Sequence, residues 1–171
     1  MAKIIFSRIG WFFLLLLIQI FIFNHIHIAG VATSFAYIYL LLILPSNTPK
    51  ALYVGLGFIM GLLVDIFNNT PGVSAAATTA VGLFSPYLFS LFHSKEEDED
   101  TIVIPSVRSL GWAKFSYYAF TLCLIQCLLF YLIENFSFSM HLILLSEILS
   151  STFFTFVIIL LFEWVRNSNR H

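Results

Sequence analysis

Gln19, Asp65 and Glu147 interrupt otherwise apolar runs and are the first candidates for chemistry. An ionised group inside a membrane span is costly and faces the bundle interior or water. No Lys or Arg falls in the outer half with them on the topology derived below. The two carboxylates must therefore be partly wet, protonated or satisfied by neutral donors. Asp65 ends the third apolar run, where a tight turn brings the next helix alongside. Free amides of Gly72, Val73 and Ser74 at that helix start are its expected partners. Asp65 would then clamp two helices; the alternative is a ligand-binding role. Glu147 shares a stripe with Ser146, Ser150, Ser151 and Thr155, and positions 147, 151 and 155 fall on one helix face. Hydroxyls there predict an interhelical hydrogen-bond seam, with a partner-facing or ligand-facing acid as the alternative.

Other reactive side chains give weaker patterns. His25, His27, His141, Asp65 and Glu134 all lie toward the outer face. None of them falls into a Cys/His or zincin spacing, so no metal ion or cofactor is expected. Cys123 and Cys127 are one helical turn apart, where a disulfide would strain the helix, and they read as small core residues. No membrane-embedded Lys or His accompanies the serines of the sixth run, so a nucleophile has no base and catalysis is not expected. Glu96, Glu97, Asp98, Glu99 and Asp100 form an acidic run that reads as a solvated spacer, or as a docking site for a basic partner.

These residues need apolar elements to hold them. The chain of 171 residues is 60% hydrophobic and only 10% charged, too little charge to cover a water-soluble surface. The length suits one integral membrane unit, 1–171, and the near-zero net charge gives no footprint for nucleic acid. Lys3 and Arg8 precede the first run; Lys50 lies between the second and third; Lys95, Arg108 and Lys114 lie between the fourth and fifth; Arg166 and Arg170 follow the sixth. The alternate connections carry no Lys or Arg. Positive charge stays cytoplasmic, which predicts an all-α bundle of six spans with both termini inside. The spans run over about 9–24, 33–44, 51–67, 71–92, 111–133 and 141–162, with the cytoplasmic acidic loop over about 93–110. The second is short for a bilayer and is expected to borrow residues 28–32, to tilt, or to be partly re-entrant. Trp11, Trp112 and Trp164 fall at cytoplasmic span ends, where indole rings anchor helices. The first run also looks like a signal sequence with a tolerable cleavage site at Gly30, Val31 and Ala32, but reads better as an uncleaved first span.

Gly57 and Gly61 form a GxxxG spacing, extended by Gly55, and the following run offers Ser74, Ala75, Ala76, Ala77, Thr78, Thr79, Ala80 and Gly82. Two such small-residue surfaces joined by a tight turn predict close backbone packing. Thr70 and Pro71 read as N-cap and first helical residue. Pro86 removes a hydrogen bond to the Gly82 carbonyl and predicts a kink.

The block from Gly61 through Asp65 to Pro71 and Gly72, followed by a small-residue helix, resembles the signature hairpin of MreD, the bacterial rod-shape-determining family. The sharp likeness covers about residues 57–87. The resemblance implies a non-enzymatic scaffold of the cell-wall elongation machinery in the inner membrane. Its implied partners are a single-span MreC-like protein and, indirectly, MreB, RodA and a class B penicillin-binding protein. The family is also similar in architecture to the substrate-binding subunits of energy-coupling-factor transporters. A competing expectation follows: a small-molecule-binding membrane subunit in which Gln19, Asp65 and Glu147 converge on an outward-open pocket.

Overall fold

Two glycines in one helix and a third in its neighbour decide how the centre of this chain packs. In the computed structural model, which describes residues 33–93, 103–135 and 141–168, a 3-10 turn over Ala36–Ile38 leads into the four-residue helix α1, Tyr39–Leu42. Four long helices follow: α2 (Lys50–Asn68), α3 (Val73–Phe92), α4 (Val107–Asn135) and α5 (His141–Ser168). All four are long and apolar enough to cross a membrane, and the described secondary structure is entirely helical. The first expected span, with Gln19, Trp11, His25 and His27, lies outside the described residues, as does the acidic run 96–100.

A Cβ on Gly61 would stand 2.5 Å from Ala75 Cα and 2.5 Å from the Ser74 carbonyl oxygen. One on Gly57 would stand 2.6 Å from the Thr78 carbonyl oxygen, and one on Gly82 would collide with the Tyr53 carbonyl. These neighbours are backbone and cannot swing aside, so α2 and α3 approach as only glycine permits. Gly55 was expected to extend this surface, but a Cβ there would meet open space. Gly61→Ala is therefore expected to lower stability by about 3 kcal/mol, the upper range for overpacking, whereas Gly55→Ala is neutral or slightly stabilising. Unfolding midpoints of the two variants in detergent check the contrast.

The turn between these helices differs from the expected cap. Helix α2 ends at Asn69 in the left-handed region (φ 56°), and α3 starts from Gly72, also left-handed (φ 88°). Thr70 and Pro71 lie within the turn and not in the helix. The chain must reverse within a few residues, and two positive-φ positions do this more tightly than a proline-led helix start. Helix α3 then runs through Pro86 to Phe92 as one element. The sharper break is in α4, where Gly111 (φ 81°, ψ 161°) separates the turn beginning at Val107 from the long helix that follows.

Side-chain pairings fix the relative directions. Thr78 and Ser85 on α3 face Gln126 and Tyr118 on α4 respectively. Tyr131 and Phe120 on α4 face Ser151 and Phe156 on α5. Each consecutive long pair is antiparallel. Lys50, Arg108, Lys114 and Arg166 consequently gather at one end of the bundle, where Lys50 Nζ lies 4.2 Å over the Tyr87 ring. Asp65, Glu134 and Glu147 belong to the other end. Trp112 and Trp164 lie, exposed, at the cationic end.

The second expected span departs most from a regular helix. Over residues 33–44 only three residues of 3-10 and four of α-helix form. Yet Ala36, Tyr37, Ile38, Tyr39, Leu41 and Leu42 are wholly buried. This segment is the axis of the bundle, with α3, α4 and α5 around it.

Candidate functional site

An irregular backbone inside an apolar bundle needs hydrogen-bond partners, because lipid supplies none. The axial segment finds them on every long helix. The Thr33 amide donates to Ser151 Oγ (3.0 Å) and the Phe35 amide to Thr155 Oγ1 (3.1 Å), both on α5. Further along, Ser85 Oγ on α3 and Tyr118 OH on α4 are 2.7 Å apart and reach the Leu41 and Leu42 carbonyls at 3.4 Å each. From α2, Tyr53 OH donates to the Leu44 carbonyl at 3.1 Å. The seam read on α5 thus exists at Ser151 and Thr155: Ser151 Oγ lies 2.8 Å from Tyr131 OH on α4, and both hydroxyls also hold the non-helical backbone of residues 33–35. Ser146 and Ser150 instead donate to carbonyls of their own helix. Thr155→Val removes the acceptor of the Phe35 amide at nearly constant shape. The orphaned buried N–H is expected to cost about 2 kcal/mol, readable as a lower unfolding midpoint.

The axial side chains are held likewise. Tyr37 OH lies 3.1 Å from Thr78 Oγ1 and accepts from Gln126 Nε2 at 3.1 Å. At the cationic end, Tyr39 OH donates to Glu163 Oε2 at 2.8 Å. Glu163 is 1% exposed, and its second oxygen accepts the Val107 amide at 3.0 Å. Arg166 closes the cluster, 2.7 Å from Glu163 Oε2, and also donates to the Pro105 carbonyl at 3.1 Å. Glu163 thereby joins α5, the start of α4 and the axial segment. The Ser46 amide donates to the Val103 carbonyl (2.8 Å) and the Val103 amide to Ser46 Oγ (3.1 Å), tying the loops of this end together.

Asp65, at the opposite end, is 2% exposed. Its Oδ1 accepts the Ser74 amide at 2.8 Å and its Oδ2 the Ala75 amide at 2.9 Å. Thr70 Oγ1 adds a third donor at 3.1 Å. Gly72, at the N-cap of α3, has no side chain, so a residue of the preceding helix caps α3 in its place. Of the expected amides, that of Ser74 is engaged, while those of Gly72 and Val73 are not and Ala75 takes part instead, because α3 starts later than expected. A carboxylate suits that position: two charge-assisted bonds and the positive helix end both favour the anion.

The other sequence candidates are placed as follows. Glu147 is half-buried near the start of α5, and Glu134 lies exposed at the end of α4. Cys123 and Cys127 are buried free thiols. No group of three His, Cys, Asp or Glu residues forms a metal-holding cluster among the described residues. Sequence reasoning passed over Tyr37, Tyr39, Gln126 and Glu163. Signals existed: Gln126 is the lone amide within the apolar α4 stretch 112–133, and Glu163 precedes Arg166 by one helical turn. Compared with known proteins, the chain matches no protein-family model, no curated sequence and no solved structure.

Proposed function

We propose that this protein is a non-enzymatic scaffold of the bacterial inner membrane, of the MreD kind, that binds a single-span MreC-like partner. Through it the scaffold links MreB, RodA and a class B penicillin-binding protein. Six spans and two cytoplasmic termini belong to the same proposal, supported by the single cationic end of the described bundle.

One observation carries the proposal: the buried polar side chains bond mainly to the protein's own backbone and side chains. Asp65 caps α3, Glu163 ties α5 to the axis, and Ser151 and Thr155 hold residues 33–35. A bundle so arranged offers outward helix faces, such as Leu149, Phe153 and Leu161 on α5, for lipid or a partner helix. With Asp65 engaged by the hairpin, convergence of Gln19, Asp65 and Glu147 on a pocket loses a member.

Affinity purification from membranes with mass spectrometry tests the class. Recovery of an MreC-like single-span protein, together with rounding of cells on depletion, is the expected result. Recovery of a transporter ATPase, or normal rod growth without the protein, would overturn it.

A further inference from the structure

The long helices stand around the axial segment in a row, not a closed ring. Helix α2 packs on α3, α3 on α4 and α4 on α5, but α2 and α5, at the two ends of the row, do not pack along each other. The axial segment is nonetheless covered on that side. Tyr37, Ile38 and Tyr39 follow one another in helical backbone, so their side chains point about 100–120° apart. All three are 0% exposed, as are Leu41 and Leu42. The flanks of the end helices are covered too. On α5, Ile158 lies on the side away from Phe156, which meets Phe120 of α4. It is 7% exposed, yet among the described residues it stands apart from the hydrophobic cluster of the axial segment and the long helices. Phe154, one turn away, is half-buried. On α2, Leu56 and Leu63 are half-buried on the side away from Gly57 and Gly61, which meet α3.

We propose that the apolar run 9–24 packs between α2 and α5 and closes the ring around the axial segment. The placement rests on the reading of that run as the first membrane span. Of the chain outside the described residues, only this run is long and apolar; 94–102 is acidic and 136–140 is five residues long. Lys3 and Arg8 set its start at the cationic end. It then runs parallel to α2 and antiparallel to α5. The connection 25–32 can reach about 26 Å, ample to bring the chain from a neighbouring helix to Thr33, which Ser151 holds at the outer end. The register also matches. Positions 147, 154 and 158 share one stripe of α5 by their spacing of seven and four. Gln19 and Glu147 each lie roughly 8 Å inside the outer end of their runs, from the rise per residue. The Gln19 amide then comes level with the Glu147 carboxyl group and can donate to it. A partner helix would be left the outward faces of the bundle, not the flank around Ile158.

Disulfide scanning of the full chain in native membranes tests the placement. Single cysteines along 9–24 are combined in turn with Phe154→Cys on α5 and Leu63→Cys on α2, and linked peptides are read by mass spectrometry. Both are expected to crosslink to the run, each at positions three to four residues apart, and the two sets should fall on different faces of it. Tyr117→Cys on α4 and Leu83→Cys on α3, both exposed, should not crosslink. Crosslinks from Tyr117→Cys or Leu83→Cys in place of the first two would overturn the placement and leave the run as a span. A mature N-terminus beyond residue 32 would overturn the placement together with the six-span reading.

Discussion

Replacing Glu163 with alanine is expected to destabilise the protein by about 4 kcal/mol, the largest loss among its single polar side chains. The change removes the acceptor of three donors at once. The Tyr39 hydroxyl and the Val107 amide are buried and lose the carboxylate oxygens they donate to. Arg166 loses its anion, although its bond to the Pro105 carbonyl survives and its long stem can carry the charge toward the headgroups. That escape keeps the loss below the sum of the separate bonds. Glu163→Gln should recover about half, because one oxygen can still accept but the amide group meets a donor. Equilibrium unfolding in mild detergent measures both. Amide exchange in the variant should quicken first at Val107, at the start of α4.

Asp65→Ala is the second large effect, at about 3 kcal/mol. It leaves the buried Ser74 and Ala75 amides unpaired at the start of α3 and frees Thr70. The loss should be local. The hairpin should loosen and α3 fray from its first turn, while the Glu163 end stays intact. Asp65→Asn keeps one acceptor and should lose about half as much. A variant that folded as stably as the parent but no longer bound a ligand would show Asp65 to be a binding residue instead of a clamp.

Much of the hairpin was legible in the sequence. Gly57, Gly61 and the small residues of α3 announce a close approach, and Asp65 beside a turn announces a cap. What could not be read was the point at which α3 starts. Thr70 followed by Pro71 has the composition of a helix start, but the reversal needed left-handed backbone at Asn69 and Gly72. Gly55 shows the limit of counting small residues: two residues before Gly57, it lies about 200° around the helix, which leaves it in open space.

The axial segment was the least legible element. Residues 33–44 are apolar and short, and apolarity alone does not distinguish a lipid-facing span from one enclosed by protein. Its burial depends on partners distant in sequence, such as Ser151, Thr155 and Tyr118. Glu163 was missed for a related reason. Beside Trp164 and Arg166 it resembles an ordinary interfacial charge, and only its contacts with Tyr39 and Val107 place it inside. Ser146, Ser150 and Ser151 look alike in sequence. A rotation of one residue sends Ser151 inward, while its neighbours bond back to their own helix.

Residues 33–44 form an enclosed axis whose backbone groups left without a helical partner are satisfied by polar side chains of the surrounding helices. Residue-resolved amide exchange in lipid nanodiscs tests it at the Phe35 amide, which has no helical partner and depends on Thr155 Oγ1. Protection at Phe35 is expected to be comparable with that inside α4 and to be lost selectively in Thr155→Val. Exchange at Phe35 as fast as at the exposed turn residue Asn47, in the unmodified protein, would contradict it.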